Sequence, residues 1–251
     1  MLPRVLTPLM PFAALLAGWE GYCTVSGVSP LILPPPSGVM RALVLNRVEI
    51  GQHALASLRV AVLGFSLSVG FAFATSVALH FAPRAERSLM PLLVASQTVP
   101  LVALAPLMIL WFGFGLLPKV LLVVLVTFLP MLMSLLSGYR QTPQAFTDLL
   151  VAMGAGRWMV FRRATLSSAR ASFLAGLRIS ATYAVVATIF AEYAGARAGL
   201  GIYILAAKNS FRADLVLAAV LVSTALTLAL LGLLRLADRL SARGPGARDD
   251  A

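Results

Sequence analysis

The sequence predicts an all-α integral membrane protein built as a six-helix transmembrane bundle, and three observations predict it. Hydrophobic residues fill 60% of the 251 positions and charged residues only 12%, where soluble domains average roughly 45–50% and about 25%. A chain so apolar cannot clothe its own surface in polar groups. The apolar residues also gather into stretches close to the roughly 20 residues that cross about 30 Å of hydrocarbon. Finally, the cations between those stretches divide unevenly, as a fixed orientation in a membrane requires.

The stretches run over about 5–19, 55–81, 89–111, 120–136, 173–193 and 215–236. The first is short and holds Pro8 and Pro11. It reads as a retained helix rather than the core of a signal peptide behind Arg4, because Gly18, Trp19 and Glu20 close it without a small-residue cleavage site. Trp19 and Tyr22 fit an interfacial anchor. The second stretch is interrupted only by Arg59. The third is apolar but contains Pro91, Pro100 and Pro106. The fourth is almost entirely Leu and Val, with Pro130 in its second half.

With the N-terminus inside, Arg4, Arg84, Arg87, Arg140, Arg157, Arg162, Arg163, Arg170, Arg235, Arg239, Arg243 and Arg248 fall on the cytoplasmic side. Arg41, Arg47, Lys119, Arg197, Lys208 and Arg212 fall outside, and Arg59 and Arg178 lie within helices. The two-to-one excess obeys the positive-inside rule and places both termini in the cytoplasm. The outer stretch 21–54 contains Leu33-Pro34-Pro35-Pro36-Ser37, which is extended, followed by a Ser37-capped helix from Gly38 to about Leu45. Residues 1–240 form one transmembrane domain, and the Gly-, Pro- and charge-rich tail 241–251 is expected to be disordered.

The formal net charge of +11 raises nucleic acid as a partner. Scattering of the arginines between apolar stretches argues for the lipid bilayer instead, since a nucleic-acid binder concentrates them on one soluble face. The single cysteine, Cys23, forms no internal disulfide, and His53 and His80 lack metal-ligand spacing. They read as a loop thiol and two helix-end imidazoles. There is no metal site, no paired-carboxylate or nucleophile–base constellation, and no Gly-x-x-x-x-Gly-Lys-Ser/Thr phosphate loop. The chain is read as non-catalytic and free of cofactors.

Three sets of residues carry a functional reading. Between the fourth and fifth stretches, the polar loop 139–172 holds an amphipathic helix over Gln144–Met153, ended by Gly154, with Gly156 reinforcing the turn. A second helical stretch follows from Arg157 to Thr165, with Trp158 and Phe161 on one face. This hinged pair presents Leu149, Leu150, Met153 and Trp158, either to a cytoplasmic partner or to the headgroup layer. The second set is Ser96, Gln97 and Thr98 before Pro100, with Thr182 and Thr188. A proline break frees carbonyls, so these residues line a pathway or else bond a neighbouring helix. The third is Arg59 and Glu192, ionisable groups near outer helix ends with a gating or structural role.

The loop resembles the EAA loop of ATP-binding-cassette (ABC) importer permeases. Asp148, Gly154, Ala155, Arg157, Trp158, Phe161 and Leu166 fall at its positions, and Gly176-Leu177-Arg178 follows. Asp148 stands where the family has Glu, Leu149 and Leu150 replace alanines, and Ser167 replaces a proline. Leu33-Pro34-Pro35-Pro36-Ser37, Ser96-Gln97-Thr98-Val99-Pro100, Ala105-Pro106-Leu107, Trp111-Phe112-Gly113-Phe114-Gly115 and Ala198-Gly199-Leu200-Gly201 are similar to signatures of the nitrate, sulfonate, taurine and bicarbonate branch. The resemblance implies a type I ABC importer permease of the bacterial inner membrane, working as a homodimer. It implies two cytoplasmic ATP-binding subunits that grip the loop and a periplasmic substrate-binding protein that delivers cargo. That cargo would be of nitrate, sulfonate or taurine type, or a thiamine-precursor pyrimidine or similar heterocycle. An ion-coupled secondary transporter, with Arg59 and Glu192 as coupling charges, is the alternative.

Overall fold

A computed structural model describes residues 3–242. Twelve α-helices follow in chain order, with no strand among the described residues. They are α1 (Pro3–Val25), α2 (Pro36–Leu45), α3 (Arg47–Phe81), α4 (Pro83–Ser96), α5 (Leu101–Phe112) and α6 (Leu116–Arg140). After them come α7 (Gln144–Ala152), α8 (Arg157–Val160), α9 (Leu166–Ser168), α10 (Arg170–Tyr193), α11 (Leu200–Asn209) and α12 (Ala213–Ala242), with a π-helical turn, Phe161–Thr165, between α8 and α9.

By length and apolarity, α3, α6, α10 and α12 can cross a membrane, and a fifth span is added if the bent pair α4 and α5 is counted as one. The expected six is therefore not reached among the described residues, because α1 falls short of that apolarity. The helices outrun the apolar stretches at both ends: α3 begins at Arg47 rather than 55, and α12 ends at Ala242 rather than 236. Polar first and last turns are stable helix once packing fixes the middle. Ser241 and Ala242, placed in the tail from sequence, continue α12. The remainder of the expected disordered tail lies outside the described residues.

The expected third helix over 89–111 is two helices meeting at 98°. Proline explains the break, since Pro100 has no N–H to donate and pushes Val99 out of the helical region. Before it, the N–H groups of Gln97, Thr98 and Val99 tighten onto the carbonyls three residues back, at 3.1, 3.0 and 3.4 Å. Pro100 itself is extended and its carbonyl accepts from Ala103 and Leu104, which opens α5.

Helix α6 packs along both α3 and α10 and forms the axis of the bundle. Small residues let the backbones approach, as in membrane helix pairs generally. A Cβ on Gly176 would sit 2.6 Å from Ser134 Cβ, so α10 crosses α6 there with no side chain between them. Hydroxyls stitch the pairs: Ser180 Oγ donates to Thr127 O at 3.0 Å, and Ser76 Oγ lies 2.9 Å from Tyr139 Oη.

Two sequence expectations near the N-terminus change. The helix α2 starts at Pro36, with Pro35 preceding it, and Ser37 is not its cap. Instead Glu20 of α1 reaches over, accepting from Ser37 N–H at 3.0 Å and from Ser37 Oγ at 2.6 Å. Cys23 is not a loop thiol. It sits buried on α1 and its Sγ donates to Leu33 O at 3.6 Å.

Candidate functional site

The loop between α6 and α10 folds as the sequence predicts, a helix, a glycine turn and a second helix. Three hydrogen bonds close the turn. Gly154 has φ +82°, the left-handed conformation that glycine adopts without penalty. Its N–H donates to Val151 O at 2.9 Å and Ala155 N–H donates to Leu150 O at 2.9 Å, while Met153 N–H returns to Leu149 O at 3.0 Å. This is a Schellman ending, which satisfies the carbonyls a helix C-terminus leaves open. Gly156, by contrast, is in ordinary extended backbone at φ −70°.

The two halves of the loop are held differently. Phe161 is 2% exposed and packs among His80 and Phe81 of α3, Tyr139 of α6 and Trp158, at ring-centroid distances of 4.9, 5.4, 5.4 and 5.6 Å. Arg157 lays its guanidinium over Phe81, 5.6 Å from the ring centre. This aromatic box fixes the second helix to the bundle. The first helix, α7, buries no residue. Leu149 and Met153 are 55% and 75% exposed, Trp158 is 60% exposed on its outer face, and Asp148 is exposed. Leu150 is half-buried, and Leu166 packs partly buried under Phe161's cluster. At the same end of the bundle Arg140 pairs with Glu86 of α4, and Arg178 pairs with Asp238 of α12 at 3.2 Å.

At the α4–α5 break, the hydroxyls of Ser96 and Thr98 turn back to Leu93 O and Ala95 O, at 2.7 and 2.8 Å. These hydroxyls cap carbonyls of the last turn of α4, while Ser96 O, which a residue with an N–H at position 100 would have bonded, accepts from Val99 N–H at 3.4 Å. Gln97 Nε2 reaches Leu125 O of α6 at 3.5 Å. All four residues, Ser96, Gln97, Thr98 and Pro100, are exposed on the single chain. An irregular polar backbone at membrane depth does not face lipid, so this face looks onto water or onto another protein surface. Thr182 is exposed on α10, its Oγ1 bonded to Arg178 O. Thr188 is a correction: it is fully buried and donates to Ala184 O at 2.8 Å, so it lines no surface of this chain. A hydroxyl placed by period alone can face either way until packing decides.

Arg59 and Glu192 are not partners. Glu192 is fully buried and accepts Ser57 Oγ on both carboxyl oxygens at 2.8 Å, and Gly201 N–H at 2.8 Å. Ser57 Oγ accepts in turn from Leu200 N–H at 2.7 Å, and His53 Nδ1 from Gly199 N–H at 3.0 Å. The start of α11 is therefore tied to α3 and α10 by one knot. It requires its glycines: a Cβ on Gly201 would lie 2.3 Å from Ile189 O, and one on Gly199 2.1 Å from the Glu192 carboxyl carbon. Arg59 is exposed and lines a separate cavity of about 920 Å³ with Lys119 and Arg197, at the end of the bundle opposite the loop. No carboxylate among the described residues lines that cavity.

Sequence reasoning missed Ser57 and His53, Lys119 and Arg197, and the contribution of His80, Phe81 and Tyr139. Ser57 and Glu192 are 135 residues apart, and nothing local in either stretch marks the pairing. For the aromatic box a weak signal existed, since His80, Phe81 and Tyr139 all close helices that point at the loop.

Comparison with known proteins decides what this arrangement belongs to. Residues 66–243 match the family model of the binding-protein-dependent transport system inner membrane component. The chain belongs to that family. It is 36% identical over 201 residues to the formylaminopyrimidine transport permease of Halalkalibacterium halodurans, covering 80% of each chain. It is 35% identical over 231 residues to the riboflavin transport system permease of Chloroflexus aurantiacus, covering 91% of this chain and 86% of the relative. It is 32% identical over 237 residues to the taurine transport system permease of Escherichia coli, covering 91% and 86%. The protein is an ABC transporter permease of the nitrate, sulfonate and taurine branch, a multi-pass membrane protein, and the ion-coupled alternative falls away.

Proposed function

We propose that this permease imports a small polar organic molecule through a pathway completed by a second copy of the chain, driven by ATP-binding subunits that grip α7. The observation that carries the reading is the unequal anchoring of the loop. The aromatic box fixes α8 and the π-turn to α3 and α6, while α7, one glycine turn away, presents Leu149, Met153 and Asp148 with none of the described residues to cover them. An apolar helix face outside the bundle is stable only against a partner. A partner groove that swings α7 then moves α8, the aromatic box and the ends of α3 and α6 as one body, which is how hinge and rigid-body transitions propagate. Two ATP-binding subunits, two permease copies and one periplasmic binding protein are the expected assembly, with both termini and the loop in the cytoplasm of a bacterial inner membrane. ATP hydrolysis belongs to the partner subunit.

The face carrying Ser96, Gln97, Thr98, Pro100 and Thr182 lines the pathway or the contact between copies, and the Glu192 knot holds the outer wall in shape. The three cations of the outer cavity are hydrogen-bond donors only, so cargo rich in acceptors suits it: a sulfonate, or a heterocycle with carbonyl groups. Two of the three relatives above are named for heterocycles. Uptake by proteoliposomes holding the complete assembly tests the reading, with formylaminopyrimidine, riboflavin and taurine as cargo. Uptake that needs the ATP-binding subunits and the binding protein supports it. Uptake by the permease alone on an ion gradient overturns it.

A further inference from the structure

At the end of the bundle opposite the loop, beside the cavity of Arg59 and Lys119, lies a smaller and more polar recess of about 330 Å³. It forms where the first turns of α3 meet α11 and the turn before α12. Glu49, His53, Tyr203, Ser210 and Arg212 line it, and Arg197 lines both hollows. Tyr203 is 6% exposed, and its Oη is buried with no hydrogen-bond partner among the described residues. Folded chains keep few buried hydroxyls in that condition. Glu49 and Arg212, two of the charges that act on this hydroxyl, line the recess, which sets the hydroxyl end of the ring on that side. The His53 ring lies 5.1 Å from that of Tyr203, and its Nδ1 accepts Gly199 N–H at 3.0 Å. A neutral His53 therefore carries its proton on Nε2 and offers a donor there. Arg212 commits Nε and Nη2 to Asp214 at 2.9 and 2.8 Å. The other charges lining the recess are one acid, Glu49, and one cation, Arg197.

We infer that this recess binds a small zwitterion, its carboxylate or sulfonate end taken by Tyr203 O–H, His53 Nε2–H and Arg197, and its ammonium end by Glu49. The balance of charge selects the class. An anion alone would bring like charge to Glu49, and a cation alone would bring it to Arg197. An uncharged guest would answer neither with the charge-assisted hydrogen bonds that are the strong ones. Only a molecule carrying both signs meets both groups and the buried hydroxyl together. The placement gives the ligand a consequence, since His53 belongs to α3 and Tyr203 to α11, and His53 already holds Gly199 at the edge of the Glu192 knot. A zwitterion gripped by both would tie α11 to α3 and stiffen that wall of the bundle. Apart from Arg197 the recess shares no residue with the cavity assigned to cargo, and the test below reads binding rather than transport.

Thermal melting of the full chain with its ATP-binding partner in detergent, followed by tryptophan fluorescence, tests the inference. The probes are β-alanine, propionate, propylamine and propionamide, which at one size present both charges, the anion, the cation and neither. A ligand that binds the folded state raises the melting temperature as its concentration rises. A saturating rise is expected with β-alanine at concentrations severalfold lower than with the other three. Tyr203→Phe removes one oxygen from a packed ring and is expected to raise the half-saturating concentration about threefold to tenfold, the usual value of one hydrogen bond. Glu49→Gln, at an exposed position, is expected to erase the preference for β-alanine over propionate. Absence of a saturating rise with β-alanine overturns the inference, and so does an equal response of the parent chain to propionate, propylamine or propionamide. A β-alanine response unchanged in both variants also overturns it, because the ligand would then sit elsewhere.

Discussion

Replacing Gly154 with alanine isolates the turn that presents α7. Gly154 stands at φ +82°, and a Cβ there meets no atom within 4 Å, so the substitution adds backbone strain and no clash. An L-residue in the left-handed region costs about 1–2 kcal/mol. Because α7 buries nothing, that strain is relieved by opening the turn rather than by unfolding the bundle. One to two kcal/mol shifts a two-state balance about fivefold to thirtyfold, and substrate-stimulated ATP hydrolysis by the reconstituted complex is expected to fall by that factor, while membrane insertion and yield stay at the parental level. Gly156→Ala is the matched control, two residues on, also in open space, but at φ −70°, where alanine is at ease. It is expected to retain full stimulation. Gly154→Ala complexes that hydrolyse ATP as the parent does, or an equal loss in both variants, would refute the argument that the left-handed turn sets the presentation of α7.

Glu192→Ala leaves Ser57 Oγ and Gly201 N–H without their acceptor in a buried site and is expected to destabilise by about 2–4 kcal/mol, two hydrogen bonds at the upper end of what membrane interiors deliver. Glu192→Gln keeps an acceptor oxygen and recovers most of it, and unfolding of the purified protein in mixed micelles reads both. Phe161→Ala removes the centre of the aromatic box, worth about 3–5 kcal/mol for a buried ring, and is expected to speed tryptic cleavage after Arg162 and Arg163 severalfold without loss of insertion. Asp148→Ala acts on an exposed acid at the docking face, so co-purification of the ATP-binding subunit is expected to weaken less than in Gly154→Ala.

Much of the loop could be read from the chain alone because its signals are local. Gly154 ends a helix wherever it occurs in such a pattern, and Trp158 and Phe161 share a face by period. The α4–α5 break was half legible. Pro100 announced a disruption, but a proline inside an apolar run is compatible with a kinked single span, and only the structure shows that the two halves meet at 98°. Thr188 was misplaced for the same reason, since a residue's period gives its face but not what that face meets.

Composition and periodicity by themselves determined the solvent, the helical class and the existence of a hinged loop, because each is set by short-range chemistry: apolar length against bilayer thickness, glycine against φ, charge against the membrane surface. Tertiary structure alone decided that Glu192 closes onto Ser57 and Gly201, that Arg59 joins Lys119 and Arg197 around a cavity, and that Phe161 is boxed by helix ends from α3 and α6. Those contacts bring together side chains far apart in sequence, and the energy that selects them is packing and buried hydrogen bonding, which leaves no periodic trace in the chain.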